Sequence, residues 1–210
     1  MSRKHNTTNK YTSVNDASTE QAMAQALTLN TQQLSRVLYA ASRSRHPVRN
    51  RVIILTQHLS GMRVGEVAAL LYGDVVAADG AVKAEVRLTA AQTKGNRSRV
   101  VLLPERLRAE IANYITTHPS KVANRPLFYT QRSAGFTADT LTHIVNGLYA
   151  KAGIDGGSSH SGRRTFITKL AEQGISARVL QQLAGHQNLS TTQRYIDIKP
   201  SMLRAAVELV

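Results

Sequence analysis

The sequence predicts a mostly helical α+β domain with one small antiparallel sheet, and three observations carry that prediction. Apolar residues recur at helical spacing through most of the chain. One segment, residues 82–103, changes to a period of two. Capping residues and glycines stand where helix ends belong.

In chain order, Asn30-Thr31-Gln32-Gln33 reads as a capping box with Asn30 as the cap, followed by Leu34, Val37, Leu38 and Ala41 on one stripe. Pro47 opens a second helix carrying Val48, Val52, Leu55 and Leu59 on one face, and Gly61 suits its end. A third short helix carries Val64, Val67, Ala68 and Leu71. Val82, Ala84, Val86 and Leu88 then alternate with Lys83, Glu85 and Arg87, the pattern of a half-buried strand. Thr93 to Arg97 forms the turn and Arg99 to Leu103 the returning strand. Pro104 starts a helix bearing Leu107, Ile111 and Ile115. Four more helices are expected at about 138–152, 161–173, 177–185 and 191–197, with Gly153, Gly174 and Gly185 as caps. A last stretch from Pro200 places Leu203, Ala206, Val207 and Val210 on one stripe.

Hydrophobic residues make up 42% of the 210, enough for one packed domain. Residues 1–26 hold almost no large apolar side chain and read as a mobile basic tail, leaving 27–210 as the domain. No apolar run approaches the roughly 18 residues of a membrane span, and the start lacks the apolar core of a secretory signal. With no cysteine there is neither a disulfide framework nor a thiolate nucleophile. A soluble protein of the cytoplasm is expected. The seven histidines lack metal-ligand spacing, so neither a metal nor another cofactor is expected. Lys and Arg number 27 against 13 acidic residues, a net charge of +14, which favours a polyanion partner. Charge alone does not separate DNA from RNA, although aromatics are only 5%, without the platform on which a general RNA-binding protein stacks bases.

Cations and imidazoles collect in four segments: SGMRVGEVAAL at 60–70, TKGNRSR at 93–99, HSGRRTFIT at 160–168 and LAGHQNLSTTQRYI at 183–196. In this order they resemble the catalytic domain of the tyrosine recombinase (phage integrase) family, over roughly residues 27–200. That family's H-x-x-R, G-H and a tyrosine nine residues beyond fall on His160, Arg163, Gly185-His186 and Tyr195. The first arginine falls on Arg63, with Glu66 as its acidic partner, and the hairpin lysine on Lys94. The chemistry suits these residue types. A phosphodiester gains charge on its nonbridging oxygens as a nucleophile adds, and fixed guanidinium forks stabilise that charge.

The resemblance implies a site-specific recombinase of a mobile genetic element, cutting DNA through a 3′-phosphotyrosyl bond at Tyr195 without metal or ATP. Arg63, Arg163 and His186 would hold the phosphate, His160 would accept the phenol proton, and Lys94 would protonate the leaving 5′ oxygen. It further implies a homotetramer on two duplexes, accessory DNA-bending or directionality proteins, and, in a bacterium, association with the nucleoid. The 26 residues before the match are too few for the family's N-terminal DNA-clamping domain, so the expectation is either a naturally short form, or a fragment or a member that borrows a clamp from a partner. A catalytically silent DNA-binding regulator and a type IB topoisomerase-like enzyme are the alternatives. Glu66 is read as a buttress for Arg63. Arg97, Arg99 and Arg43 to Arg49 are read as backbone contacts or a solvated face, and no role is assigned to Arg164.

Overall fold

Helix α2 (Pro47–Ser60) is the axis of the molecule, and its sequence shows why. Val52, Ile53, Ile54 and Leu55 are four consecutive apolar residues, all fully buried, so the helix must be covered on every side. Around it pack α1 (Thr31–Ser42), α5 (Glu105–Thr117) and α7 (Ser161–Glu172). The single stripe of Val48, Val52, Leu55 and Leu59 is therefore too narrow: Ile53 and Ile54 are inside, while Val48 and Leu59 are half-buried. The computed structural model describes residues 26–120, 122–130, 135–196 and 200–208. All but the last residue of the expected basic tail, and Val210 of the C-terminal stripe, lie outside them.

The predicted caps at the start of α1 and the end of α2 are found. Asn30 accepts from the Gln33 N–H at 2.8 Å while the Gln33 side chain accepts from the Asn30 N–H at 2.9 Å. Gly61 ends α2 at φ +66°, and a Cβ there would meet the Phe166 ring at 2.5 Å, so both conformation and space require glycine. The third helix, α3 (Val64–Ala68), stops before Leu71. Leu71 instead precedes a short α4 (Tyr72–Val75), because the Asp74 carboxylate accepts from the Leu71 N–H at 2.9 Å and starts a new turn.

The sheet has two strands, β1 (Glu85–Leu88) and β2 (Arg99–Leu102), antiparallel with Val86 opposite Val101 and Leu88 opposite Arg99. The first is shorter than its alternation suggests, since Val82 pairs back with Val76 in an isolated bridge. Helix α6 (Ala138–Lys151) packs on α1 and α3, and the α5 stripe is buried as expected. The chain continues through α8 (Ala177–Ala184), α9 (Leu189–Gln193) and α10 (Pro200–Val207). Helix α9 begins and ends earlier than the expected 191–197. Tyr195 N–H and Ile196 N–H bond back three residues, to Thr192 and Gln193, so Tyr195 lies in a tight turn after the helix. On α10, Leu203 and Val207 are 59% and 72% exposed, so its apolar stripe is not packed on this domain. Among the described residues no helix is long and apolar enough to cross a membrane.

One buried group sets a pH dependence. His58 on α2 has Nε2 3.1 Å from the Tyr149 hydroxyl, while its Nδ1 has no partner. Burial, then the Lys169 charge, pushes its pKa down to about 4. The unfolded chain binds that proton near pH 6.5, the folded chain only near 4, so stability falls as pH drops through this window. The expected loss is about 3 kcal/mol, on the order of the shift converted at 1.36 kcal/mol per unit. Denaturant melts of the parent and His58→Leu between pH 7 and 4 check this; parallel curves would refute it.

Candidate active site

The site is assembled on the C-terminal end of α8. A helix leaves its last carbonyls without intrahelical partners, and here three arginines take three consecutive ones. Arg99 Nη1 donates to Leu183 O at 3.0 Å, Arg163 Nη2 to Ala184 O at 2.7 Å, and Arg63 Nη2 reaches Gly185 O at 3.5 Å. Gly185, at φ +63°, turns the chain so that the His186 N–H bonds to Gln181 O at 3.1 Å, closing a Schellman-type cap. His186 is thereby held directly after the arginine cluster.

Each arginine comes from a different element. Arg63 precedes α3, and the Glu66 carboxylate accepts from its backbone N–H at 2.8 Å and from its Nη1 at 3.0 Å. Arg163 lies one turn into α7 and is 4% exposed; its Nη1 donates to Gly61 O at 2.7 Å. Its cation thus sits between the C-terminal ends of α2 and α8, where helix dipoles favour positive charge. Arg99 starts β2 and grips Glu66 with two bonds, at 2.8 and 3.2 Å.

Three guanidiniums around one buried carboxylate leave an excess of positive charge. Burial, then the Arg63 charge, lowers the pKa of Arg163. Burial, then Arg163 and Arg63, pushes His186 down to about 4, so its imidazole is neutral at physiological pH. For Glu66, burial acts to raise the carboxyl, and the opposing Arg99 and Arg63 contacts hold it below its usual range. A pocket that penalises its own cations rewards an entering anion.

His186 Nδ1 lies 2.9 Å from the Thr192 hydroxyl, and its ring stacks on Tyr195 with centroids 5.5 Å apart and planes 21° from parallel. Arg164 also lies over the Tyr195 ring, its guanidinium carbon 5.6 Å from the centroid. Tyr195 packs against a small apolar cluster of Ile167, Ala171, Leu180 and Ala184 and is half-buried. Its phenol oxygen makes no hydrogen bond to a described residue.

A cleft of about 970 Å³ opens on the cluster, lined by Arg63, Arg99 and His186 on one side and by Lys94 on the hairpin turn. That turn is closed by the Thr93 hydroxyl, which donates to Arg97 O and accepts from Arg97 N–H. Gly95 lies so close to Gln187 that a Cβ would be 3.0 Å from its Nε2, placing the exposed Lys94 turn beside the His186 segment. Arg63, Arg163, His186 and Tyr195 are therefore brought together, and Lys94 lines the same cleft as Arg63 and His186. Among the described residues, the side chain of the sixth, His160, makes no hydrogen bond, ion pair or ring contact with any of these. His160 caps the start of α7, is exposed, and its ring makes no hydrogen bond to a described residue.

Two cations expected on a solvated face are inside. Arg99, 11% exposed at its side chain, belongs to the buried ion cluster. The strand alternation contains that signal, since 99, 101 and 103 share a face and Val101 and Leu103 are in the core. Arg49 is 5% exposed, donates to Tyr129 O at 3.1 Å and lies over the Phe136 ring at 5.0 Å.

Gly185→Ala tests the helix-end design. The new Cβ would lie 2.6 Å from Arg99 Cδ, at a positive φ that costs an L-residue on the order of 1 kcal/mol or more. Anion binding is expected to weaken beyond what the drop in melting temperature explains. A loss of stability alone, with phosphate binding intact, would contradict it.

A helix end where three arginines meet, followed by a histidine stacked on a tyrosine, concentrates positive charge beside a phenol. The chain belongs to the phage integrase family, whose model matches residues 28–202. It is 30% identical over 182 residues to tyrosine recombinase XerD of Neisseria meningitidis serogroup A, covering 84% of this chain and 60% of that protein. It is 31% identical over 165 residues to tyrosine recombinase XerA of Pyrococcus furiosus, covering 77% and 54%. The chain thus spans between about half and three-fifths of these curated relatives. Among solved structures it resembles a XerA recombinase, at 27% identity and a TM-score of 0.70, over 87% of this chain and 64% of that one. The catalytic domain of bacteriophage HP1 integrase shares the fold, at 22% identity and a TM-score of 0.63, over 88% and 95%. The expected mostly helical recombinase-domain fold with a two-stranded sheet is found.

Proposed function

We propose that this chain is a site-specific DNA recombinase that cuts and reseals double-stranded DNA through a covalent bond between Tyr195 and a 3′ phosphate. The observation that carries the reading is the stack of Tyr195 on His186, directly beside the guanidiniums gathered at the end of α8.

Arg63 and Arg163 bind the two nonbridging oxygens of the scissile phosphate. A guanidinium has five N–H donors, and those of Arg163 not engaged by Gly61 O and Ala184 O remain for the anion. With the Thr192 hydroxyl donating to Nδ1, His186 carries its proton on Nε2 and donates it to a phosphate oxygen. The phenol oxygen of Tyr195 attacks phosphorus while its proton passes to His160. The bond to the 5′ oxygen breaks, and Lys94 protonates that oxygen. A free phenol has a pKa of about 10, so attack at neutral pH needs this acceptor. His160 is exposed one turn ahead of Arg163, and DNA docking has to bring base and phenol together. Resealing is the reverse, with a 5′-hydroxyl displacing the tyrosine. The phosphoester bond is conserved, so no ATP is consumed.

The working assembly is a homotetramer on two duplexes in the cytoplasm, on the nucleoid in a bacterium, with accessory proteins setting direction. The exposed apolar stripe on α10 supports contact between copies of the chain, and the names of the relatives support recombination. With about 6–10 phosphates contacted, affinity is expected to fall about 10³–10⁵-fold between 50 and 200 mM salt.

The test uses a library of nicked duplexes randomised around the nick, so that cleavage releases a short fragment and traps the enzyme. A detergent-stable protein–DNA adduct is expected in the presence of a chelator. Duplex binding without any adduct would favour the silent regulator instead.

A further inference from the structure

Glu66 is the sole carboxylate among the groups forming the arginine cluster, and two guanidiniums compete for it. Arg99 occupies both of its oxygens, whereas Arg63 reaches one of them through Nη1. The exposures divide in the same sense: the Glu66 side chain is 1% exposed, Arg99 11% and Arg63 30%. Both arginines line the cleft, and Arg63 is the more exposed of the two. Arg99 reaches the cluster from the strand that returns from the Lys94 turn, and fixes its remaining end on Leu183 O.

We propose that Arg99 is a positioning residue that neutralises Glu66, so that the charge of Arg63 is available to the substrate phosphate. The inference rests on the reading that this cluster binds a DNA phosphate. A carboxylate this deeply buried keeps a cation close, because leaving it unpaired costs several kcal/mol. Without Arg99, the nearest cation is Arg63, already bonded to it through both main chain and side chain. Arg63 would then close onto Glu66 and the pair would present little net charge to an anion. With Arg99 in place, the Glu66–Arg99 pair is neutral, and Arg63 and Arg163 remain as two uncompensated cations.

This separates two roles that the geometry alone permits. If Arg99 merely struts β2 against α8, removing the Glu66 charge does nothing for a variant lacking Arg99. If it neutralises Glu66, removing that charge repairs the defect. Glutamine at 66 is suited to the comparison, because its amide oxygen can still accept from the Arg63 N–H as glutamine does in a capping box.

Two readouts are taken on the full chain: adduct formation on the nicked-duplex library, and binding of inorganic phosphate followed by NMR of the arginine side-chain N–H groups. Arg99→Met is expected to slow adduct formation about 10²-fold, the size of effect for losing one fixed charge-stabilising group. Glu66→Gln/Arg99→Met is expected to recover at least about tenfold of that, with phosphate affinity moving in parallel. Arg99→Lys, which keeps the charge but not the fork, falls between Arg99→Met and the parent. A double variant no better than Arg99→Met, or an Arg99→Met indistinguishable from the parent, overturns the proposal. If Arg99→Met does not fold by circular dichroism, the decision passes to Arg99→Lys and Glu66→Gln/Arg99→Lys. Equal phosphate affinity in these two, both below the parent, overturns the proposal. Should the parent form no adduct while phosphate binding follows the expected order, the recombinase reading fails and the inference about Arg99 stands.

Discussion

Tyr195→Phe is expected to fold like the parent, bind DNA, and form no covalent adduct. The substitution removes one oxygen and leaves the ring. That oxygen makes no hydrogen bond to a described residue, so the stack on His186, the Arg164 contact and the packing against the Ile167 cluster all survive. Stability should change by no more than about 0.5 kcal/mol, as for a surface position. The chemical effect has no such limit, because no phosphotyrosyl ester can form without the phenol. Gel separation under denaturing conditions, beside a thermal melt, reads both. An adduct of parental yield in Tyr195→Phe would mean that another side chain attacks.

Arg163→Ala is expected to reduce adduct formation about 10²–10³-fold, while keeping part of the DNA affinity. The variant removes the most deeply held cation and leaves Gly61 O and Ala184 O without their donors, each 2.7 Å away in the parent. Losing charge-assisted bonds of this kind typically costs about 1.5–3 kcal/mol each, but the cost of burying the guanidinium disappears with them. The loss of stability should therefore be smaller than the sum of the bonds. Arg163→Lys separates charge from shape. One ammonium cannot span two carbonyls and still offer a fork to phosphate, so its activity should lie much nearer to Arg163→Ala than to the parent. Single-turnover cleavage on a trapped site measures this, and a fully active lysine variant would show that charge alone suffices.

Much of this was legible in the sequence, for local reasons. Helix ends are written in a few residues, which is why Asn30, Gly61, Gly153, Gly174 and Gly185 were read as caps. The α5 stripe of Leu107, Ile111 and Ile115 was legible because only one face of that helix is covered. The spacing from His160 to Tyr195 carried the family, and the fold brings four of the six expected residues together, with a fifth, Lys94, lining the same cleft. What escaped is set by tertiary packing. The all-round burial of α2 depends not only on the neighbouring α1 but on α5 and α7, which are distant in sequence. The direction of Arg99 was hidden by reading residues 97 and 99 as one cationic patch, although Arg97 stands exposed in the turn and only Arg99 begins β2. Arg49 looked like surface because its partners, Tyr129 and Phe136, lie 80 or more positions away. The end of α9 before Tyr195 turns on three-residue backbone bonds that no periodicity announces.

The central claim is that the phenol oxygen of Tyr195 becomes joined to the DNA phosphate. Protease digestion of the trapped adduct followed by nuclease and mass spectrometry locates the bond. The account predicts a nucleotide mass on the peptide containing Tyr195, and on no other. Finding it on another tyrosine, or on a serine such as Ser161, would contradict the account.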